Sequence, residues 1–282
     1  MNNMLEQMTK LAESHNMPTY HISVATKDGI ETSRIRRGNP CQNSYSVAKF
    51  FCVTAIGMLY DDGKITPEAT IGEIFADELA QYGIDPAGWN KVKLHDVMRH
   101  RIGYAHGFLD IDVEDITKYE TDDFLKKALS EPLVYEPGEK SVYSDAAFYL
   151  VSRVVTKVSG EKLDDFLWPR LFSKIGCREV AFSKCPHGYP MGATGIYIRT
   201  SDMVKLGRIY LDGGCYYGER IISEEWVKMV LENAYELTKC GGGYSKGGMC
   251  GQKLYINFDK DIAIAWHGYD TQGIQGPLYE LL

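Results

Sequence analysis

The sequence predicts an α/β (α+β) fold, in which a mainly antiparallel sheet flanked by helices is interrupted by an inserted all-helical domain. Two hairpin signatures near the chain ends and a long helical middle carry this reading. His21 to Thr26 alternates apolar and polar side chains, Lys27-Asp28-Gly29 turns the chain, and Ile30 to Arg36 returns. Near the other end, Lys253 to Phe258, a turn at Asp259-Lys260-Asp261, and Ile262 to Trp266 repeat the pattern. From about Thr66 to Gly214 the apolar residues recur at helical spacing instead. A sheet fed by both ends and broken by helices places residues 1–62 and 216–282 in one domain and 63–215 in the other. The groove between two such domains is where a small-molecule site is expected.

The elements follow in order. Met4, Leu5, Met8, Leu11 and Ala12 fall on one side of an N-terminal amphipathic helix. That stretch has no basic start followed by an apolar run, so it does not read as a secretory signal, and Met1 has the look of an initiator. After the first hairpin, Asn39-Pro40 breaks the sheet. The run Phe50 to Tyr60 is then almost wholly apolar and stops at Asp61-Asp62-Gly63, a buried helix too short to span a bilayer. Helical spacing recurs over Leu94 to Arg99, Asp122 to Leu129, Ala146 to Ser159, Leu163 to Ile175 and Ser201 to Leu211. Gly160 reads as a C-cap and Pro137-Gly138 as a turn.

With 282 residues the chain can bury a sizeable core. A net charge of −7, without a dense basic patch beyond Arg34, Arg36 and Arg37, argues against a nucleic-acid partner. The seven cysteines are odd in number, scattered and without a C-x-x-C pair, as in free thiols of a reducing cytosol. The expectation is therefore a cytoplasmic protein with no membrane segment.

Chemistry concentrates at three separated places. Ser46 stands at the start of the apolar helix and Lys49 lies three residues on, so hydroxyl and amine share a face. A serine at a helix N-terminus beside an amine is the arrangement of an activated nucleophile. The competing reading makes Ser46 a helix cap and lets Lys49 reach for water. Tyr143-Ser144-Asp145 follows the Pro137-Gly138 turn and precedes a helix that Asp145 is equally suited to cap. Lys246-Gly247-Gly248 lies in a glycine-rich segment leading into the C-terminal hairpin, where paired glycines permit close approach of another backbone or a ligand. Taken singly, Tyr143 fits a packed tyrosine and Lys246 a solvated one. The seven histidines form no H-E-x-x-H metal motif, although His95, His100 and His106 keep a zinc-hydrolase reading open.

In their order, these three motifs resemble those of the serine β-lactamase and penicillin-binding-protein superfamily, in the branch of class C β-lactamases and related esterases and peptidases. The segments 94–107, 136–160 and 192–214 resemble further stretches of that family. The resemblance implies the β-lactamase/transpeptidase-like fold and a serine hydrolase that cleaves a small ester, amide or β-lactam-like bond without metal or cofactor. It implies Ser46 as the acylated nucleophile, Lys49 as base or proton relay, and Tyr143 as a second proton-transfer group. Lys246 would hold the tyrosine charge or an anionic part of the substrate. The backbone N–H groups of Ser46 and Met249 would form the oxyanion hole, with Asp145, Gly247, Gly248 and His267 at the substrate. Tyr45, Tyr104 and Trp266 fit either an apolar cleft or the core.

Two positions depart from the family pattern. Asp145 replaces the usual Asn, and a carboxylate cannot donate to a substrate carbonyl. Gly247 replaces a Thr or Ser hydroxyl. Both changes argue against an efficient β-lactamase, and both favour the alternative of a non-catalytic ligand-binding or sensor module that keeps the fold.

Overall fold

The computed structural model describes residues 3–282, so Met1 lies outside the described residues. The chain divides into two compact units. The first comprises residues to Phe50, Pro169–Ala181 and Ile196–Leu282, and the second Phe51–Trp168 and Phe182–Gly195.

The first unit opens with helix α1 (Asn3–Ser14), whose Leu5, Met8 and Ala12 are buried as the amphipathic pattern requires. Strands β1 (Thr19–Thr26) and β2 (Gly29–Arg34) form the first hairpin, pairing Thr26 with Gly29 through His21 with Arg34. Two short strands, β3 (Cys41–Asn43) and β4 (Ile196–Arg199), pair antiparallel beyond it. The main sheet is completed by β5 (Thr238–Cys240), β6 (Gly243–Gly248), β7 (Gln252–Asn257) and β8 (Ile262–Gly268), in the order β2-β1-β8-β7-β6-β5. Every pairing in it is antiparallel. Both chain ends therefore feed one sheet.

Period-two alternation sends successive side chains to opposite faces. Ile22 and Val24 of β1 join Ile264 and Trp266 of β8 in a core closed by Leu5, Met8 and Leu278. On the other face, Ser23 is hydrogen-bonded to Thr200 at 2.8 Å. Thr200 opens the helix Thr200–Leu211, which packs across β1, β7 and β8. The sequence assigned that helix to the 63–215 domain, but its contacts put it with the sheet. Gly207 decides this, because only a residue without a side chain lets the helix sit directly on Ala263 and Leu254.

The second unit is built around the helix Asp145–Ser159, in which Ala146 through Ser152 are all buried. Leu94–Met98, Phe124–Ser130 and Leu163–Leu167 pack on it. The expected helix over 163–175 is shorter than its pattern, because a turn of π-helix at Trp168–Phe172 follows Leu167 where Pro169 removes a backbone donor. Gly160 closes the long helix with φ 81°, as its C-cap reading requires. All seven cysteines are free thiols, and no helix of the described residues is long and apolar enough to cross a membrane.

Candidate active site

In the first unit the Ser46 hydroxyl and the Lys49 amino group come together as the spacing demands. Tyr45–Val47 forms a single 3-10 turn that runs into the helix α2 (Ala48–Asp61). Lys49 lies one turn past Ser46, and its Nζ donates to Ser46 Oγ at 3.2 Å. Lys49 is fully buried, so it does not extend to water, whereas Ser46 stays partly exposed. The turn ahead of the serine is held in a strained form. Tyr45 adopts a left-handed φ of 46°, its N–H donates to Asn43 Oδ1 at 2.9 Å, and Ser44 N–H donates to Ile196 O at 2.8 Å.

The end of β6 lies against that turn. A β-carbon on Gly248 would stand 2.5 Å from the Ser44 carbonyl oxygen and 3.2 Å from Tyr45 Cβ, so only glycine permits the approach. Gly247 is different: the nearest atom to a β-carbon there is Gln252 O at 3.9 Å, and the residue is exposed. Met249 begins a short turn in which Cys250 is left-handed, with φ 56°. Non-glycine residues in that conformation thus occur both before Ser46 and after Met249. Lys246 is ion-paired with Glu236.

In the second unit the loop His100–Phe108 clamps the second motif. His100 O accepts from Val142 N–H at 2.8 Å, and His100 Nδ1 accepts from Ser144 N–H at 3.2 Å. The His100 ring lies 4.4 Å from the Tyr143 ring. Gly107 sits against the Tyr143 carbonyl so tightly that a β-carbon would come within 2.4 Å of it. Tyr143 is nevertheless 52% exposed, which is not the behaviour of a core tyrosine. Ser144 is the N-cap residue and Asp145 the first residue of the helix, buried in its opening turn. Asp110, Asp112 and Asp145 bring carboxylate oxygens within 4.8 Å of one another. Tyr143, Asp145, Asp110, Glu114 and Phe108 border a pocket of about 210 Å³.

Other expectations change. His267 is not at a surface: it is fully buried in β8, opposite His21 of β1, and neither ring nitrogen finds a hydrogen-bond partner among the described residues. Burial pushes its pKa down to about 3, with the His21 charge adding to the effect. The apolar neighbours of the last strand hid this in the sequence. Tyr104 and Trp266 belong to the core, the former donating its hydroxyl to Ala128 O at 2.9 Å. His95, His100 and His106 engage separate partners: Arg99, Ser144 and Glu131 respectively. Glu236 and the two aspartates at 110 and 112 went unread. Only the D-x-D at 110–112 left a visible signal.

Comparison with known proteins identifies the family and the fold. The Beta-lactamase family model matches residues 37–267. The 6-aminohexanoate-dimer hydrolase of Paenarthrobacter ureafaciens is 28% identical over 200 residues, 66% of this chain and 49% of that protein. The chain spans about half the length of the curated relatives it matches. Among solved structures, a family VIII carboxylesterase superposes with a TM-score of 0.77 at 13% identity, covering 99% of this chain and 95% of the other. The octameric penicillin-binding protein homologue from Pyrococcus abyssi gives 0.70 at 16% identity, covering 100% and 77%. At these identities the superpositions speak to the fold.

Proposed function

This chain belongs to the beta-lactamase family, and from that premise we propose that it is a serine hydrolase cleaving an ester or amide through an acyl-enzyme on Ser46. The observation that carries this is the 3.2 Å contact between the buried Lys49 amine and the partly exposed Ser46 hydroxyl. Ser46 Oγ bonds to the substrate carbonyl carbon as the bond to the leaving alkoxide or amine breaks. The hydroxyl proton passes to Lys49 and from there to the leaving group. Water then attacks the ester carbon, the bond to Ser46 breaks, and the serine regains a proton.

Negative charge develops on the carbonyl oxygen during both attacks. Ser46 at the head of a helical run places that oxygen where the helix end is positive. The backbone N–H groups of Ser46 and Met249 are assigned as its donors, each worth about 3 kcal/mol of barrier. The close seating of Gly248 on Ser44 supports this, since it holds the two backbone segments together. Tyr143 is assigned the second proton transfer, supported by its motif and its exposure. Small esters and amides are the substrates, in keeping with the names of the hydrolase and carboxylesterase relatives.

A fluorophosphonate probe and a labelled penicillin, applied to native protein and to Ser46→Ala, test the proposal. A mass increase from the fluorophosphonate, on native protein alone, is expected. A folded native sample that takes up neither reagent supports the non-catalytic binding module instead.

A further inference from the structure

Lys246, the cation of the third motif, is already engaged. Its ammonium is ion-paired with the Glu236 carboxylate, and the two side chains are only 12% and 6% exposed. An ordinary hairpin would not bring them together. Thr238 stands opposite Ser245 in the β5–β6 register. A regular continuation of β5 would set residue 236 opposite Gly247, with its side chain on the face away from Lys246. The left-handed backbone at Ala234 (φ 53°) and Glu236 (φ 61°) breaks that alternation, while Tyr235 and Leu237 stay buried and anchor the segment. Non-glycine residues hold such a conformation only where the surroundings enforce it. Here the result is an internal carboxylate on the motif lysine.

Charge decides what this does. A substrate carboxylate seeking Lys246 would meet a cation already neutralised by a nearly buried carboxylate, and two carboxylates crowded at one ammonium repel each other. We propose that Glu236 is a specificity-determining residue, standing on Lys246 in place of a substrate carboxylate and restricting turnover to esters and amides that carry no carboxylate near the scissile carbonyl. This rests on the serine-hydrolase reading above and adds the charge class of its substrate.

The test compares p-nitrophenyl butyrate with its carboxylate counterpart, p-nitrophenyl hemisuccinate, on native protein, Glu236→Gln, Glu236→Asp and Ser46→Ala. Native protein is expected to favour the butyrate at least tenfold in kcat/KM. Glu236→Gln should shrink that ratio tenfold or more, chiefly through a lower KM for the hemisuccinate, and Glu236→Asp should retain it. Native protein that turns over the hemisuccinate as well as the butyrate overturns the proposal, whatever the variants do. So does a folded Glu236→Gln with an unchanged ratio. Turnover of neither ester beyond the Ser46→Ala background is a different failure, because it removes the serine-hydrolase reading itself.

Discussion

Gly248 meets Ser44 across so small a gap that its absent β-carbon would lie 2.5 Å from the Ser44 carbonyl oxygen. That contact fixes the end of β6 against the turn from which Ser46 projects. Its neighbour Gly247 has no comparable constraint, with 3.9 Å of clearance to the nearest atom.

The pair predicts opposite outcomes for one added methyl group. Gly248→Ala must push the strand end off the turn, since backbone oxygen and Tyr45 Cβ cannot swing aside. Losing one properly placed oxyanion donor costs about a hundredfold in kcat, so a fall of that order is expected. Gly247→Ala should change kcat less than threefold. Steady-state ester hydrolysis by both variants, with circular dichroism to confirm folding, checks the contrast. Equal effects at the two positions would remove the role given to the Gly248 contact.

Lys49 is asked to move the serine proton. A positioned acid–base group contributes about a hundredfold to ten-thousandfold, so Lys49→Met should lower the acylation rate of Ser46 within that range. Met fills similar volume in a fully buried position, which limits the packing loss. Burst-phase kinetics with a chromogenic ester report acylation directly. An unchanged burst rate would mean that another group takes the proton.

The sequence made visible what depends on local pattern and hid what depends on tertiary pairing. Both terminal hairpins and the helices at Leu94, Asp145 and Thr200 follow from periodicity, with ends shifted by only a few residues. Ser46 and Lys49 were readable because three residues of helix fix their relation. The β5–β6 hairpin escaped because Gly241-Gly242-Gly243 and Lys246-Gly247-Gly248 have too few side chains to alternate. Glu236 escaped for a deeper reason: its meeting with Lys246 depends on left-handed residues that no propensity anticipates. The helix Thr200–Leu211 was seen but misplaced, since Gly207 reads as a weak helix residue until the sheet beneath it is known.

Gly207 separates two opposing effects. In isolation, Gly→Ala in a helix interior stabilises by up to about 1 kcal/mol. Here the new β-carbon would sit 2.8 Å from Ala263 Cβ and 3.2 Å from Leu254 Cδ1. Ala263 has no flexible end to move, so the helix itself must lift, and overpacking of this kind costs about 1–3 kcal/mol. The steric term outweighs propensity, and Gly207→Ala should lower stability by about 1 kcal/mol in urea denaturation. A stabilised variant would show that the helix rides more loosely on β7 and β8.

His267 ties stability to acid. In the unfolded chain an imidazole titrates near about 6.5, whereas burial in β8 pushes this one down to about 3. Between those values the unfolded chain binds a proton that the folded one refuses, so stability falls as pH drops through 6.5 and stops falling near 3. His21, lowered first by burial and then by Arg34, acts in the same direction. At about 1.4 kcal/mol per pH unit, lowering the pH from 7 to 5 should remove about 2 kcal/mol through His267 alone. Urea midpoints at the two pH values, for native protein and His267→Asn, measure this. The variant should lose most of the pH difference and keep the part due to His21. The same pH difference in both proteins would assign the acid sensitivity to other groups.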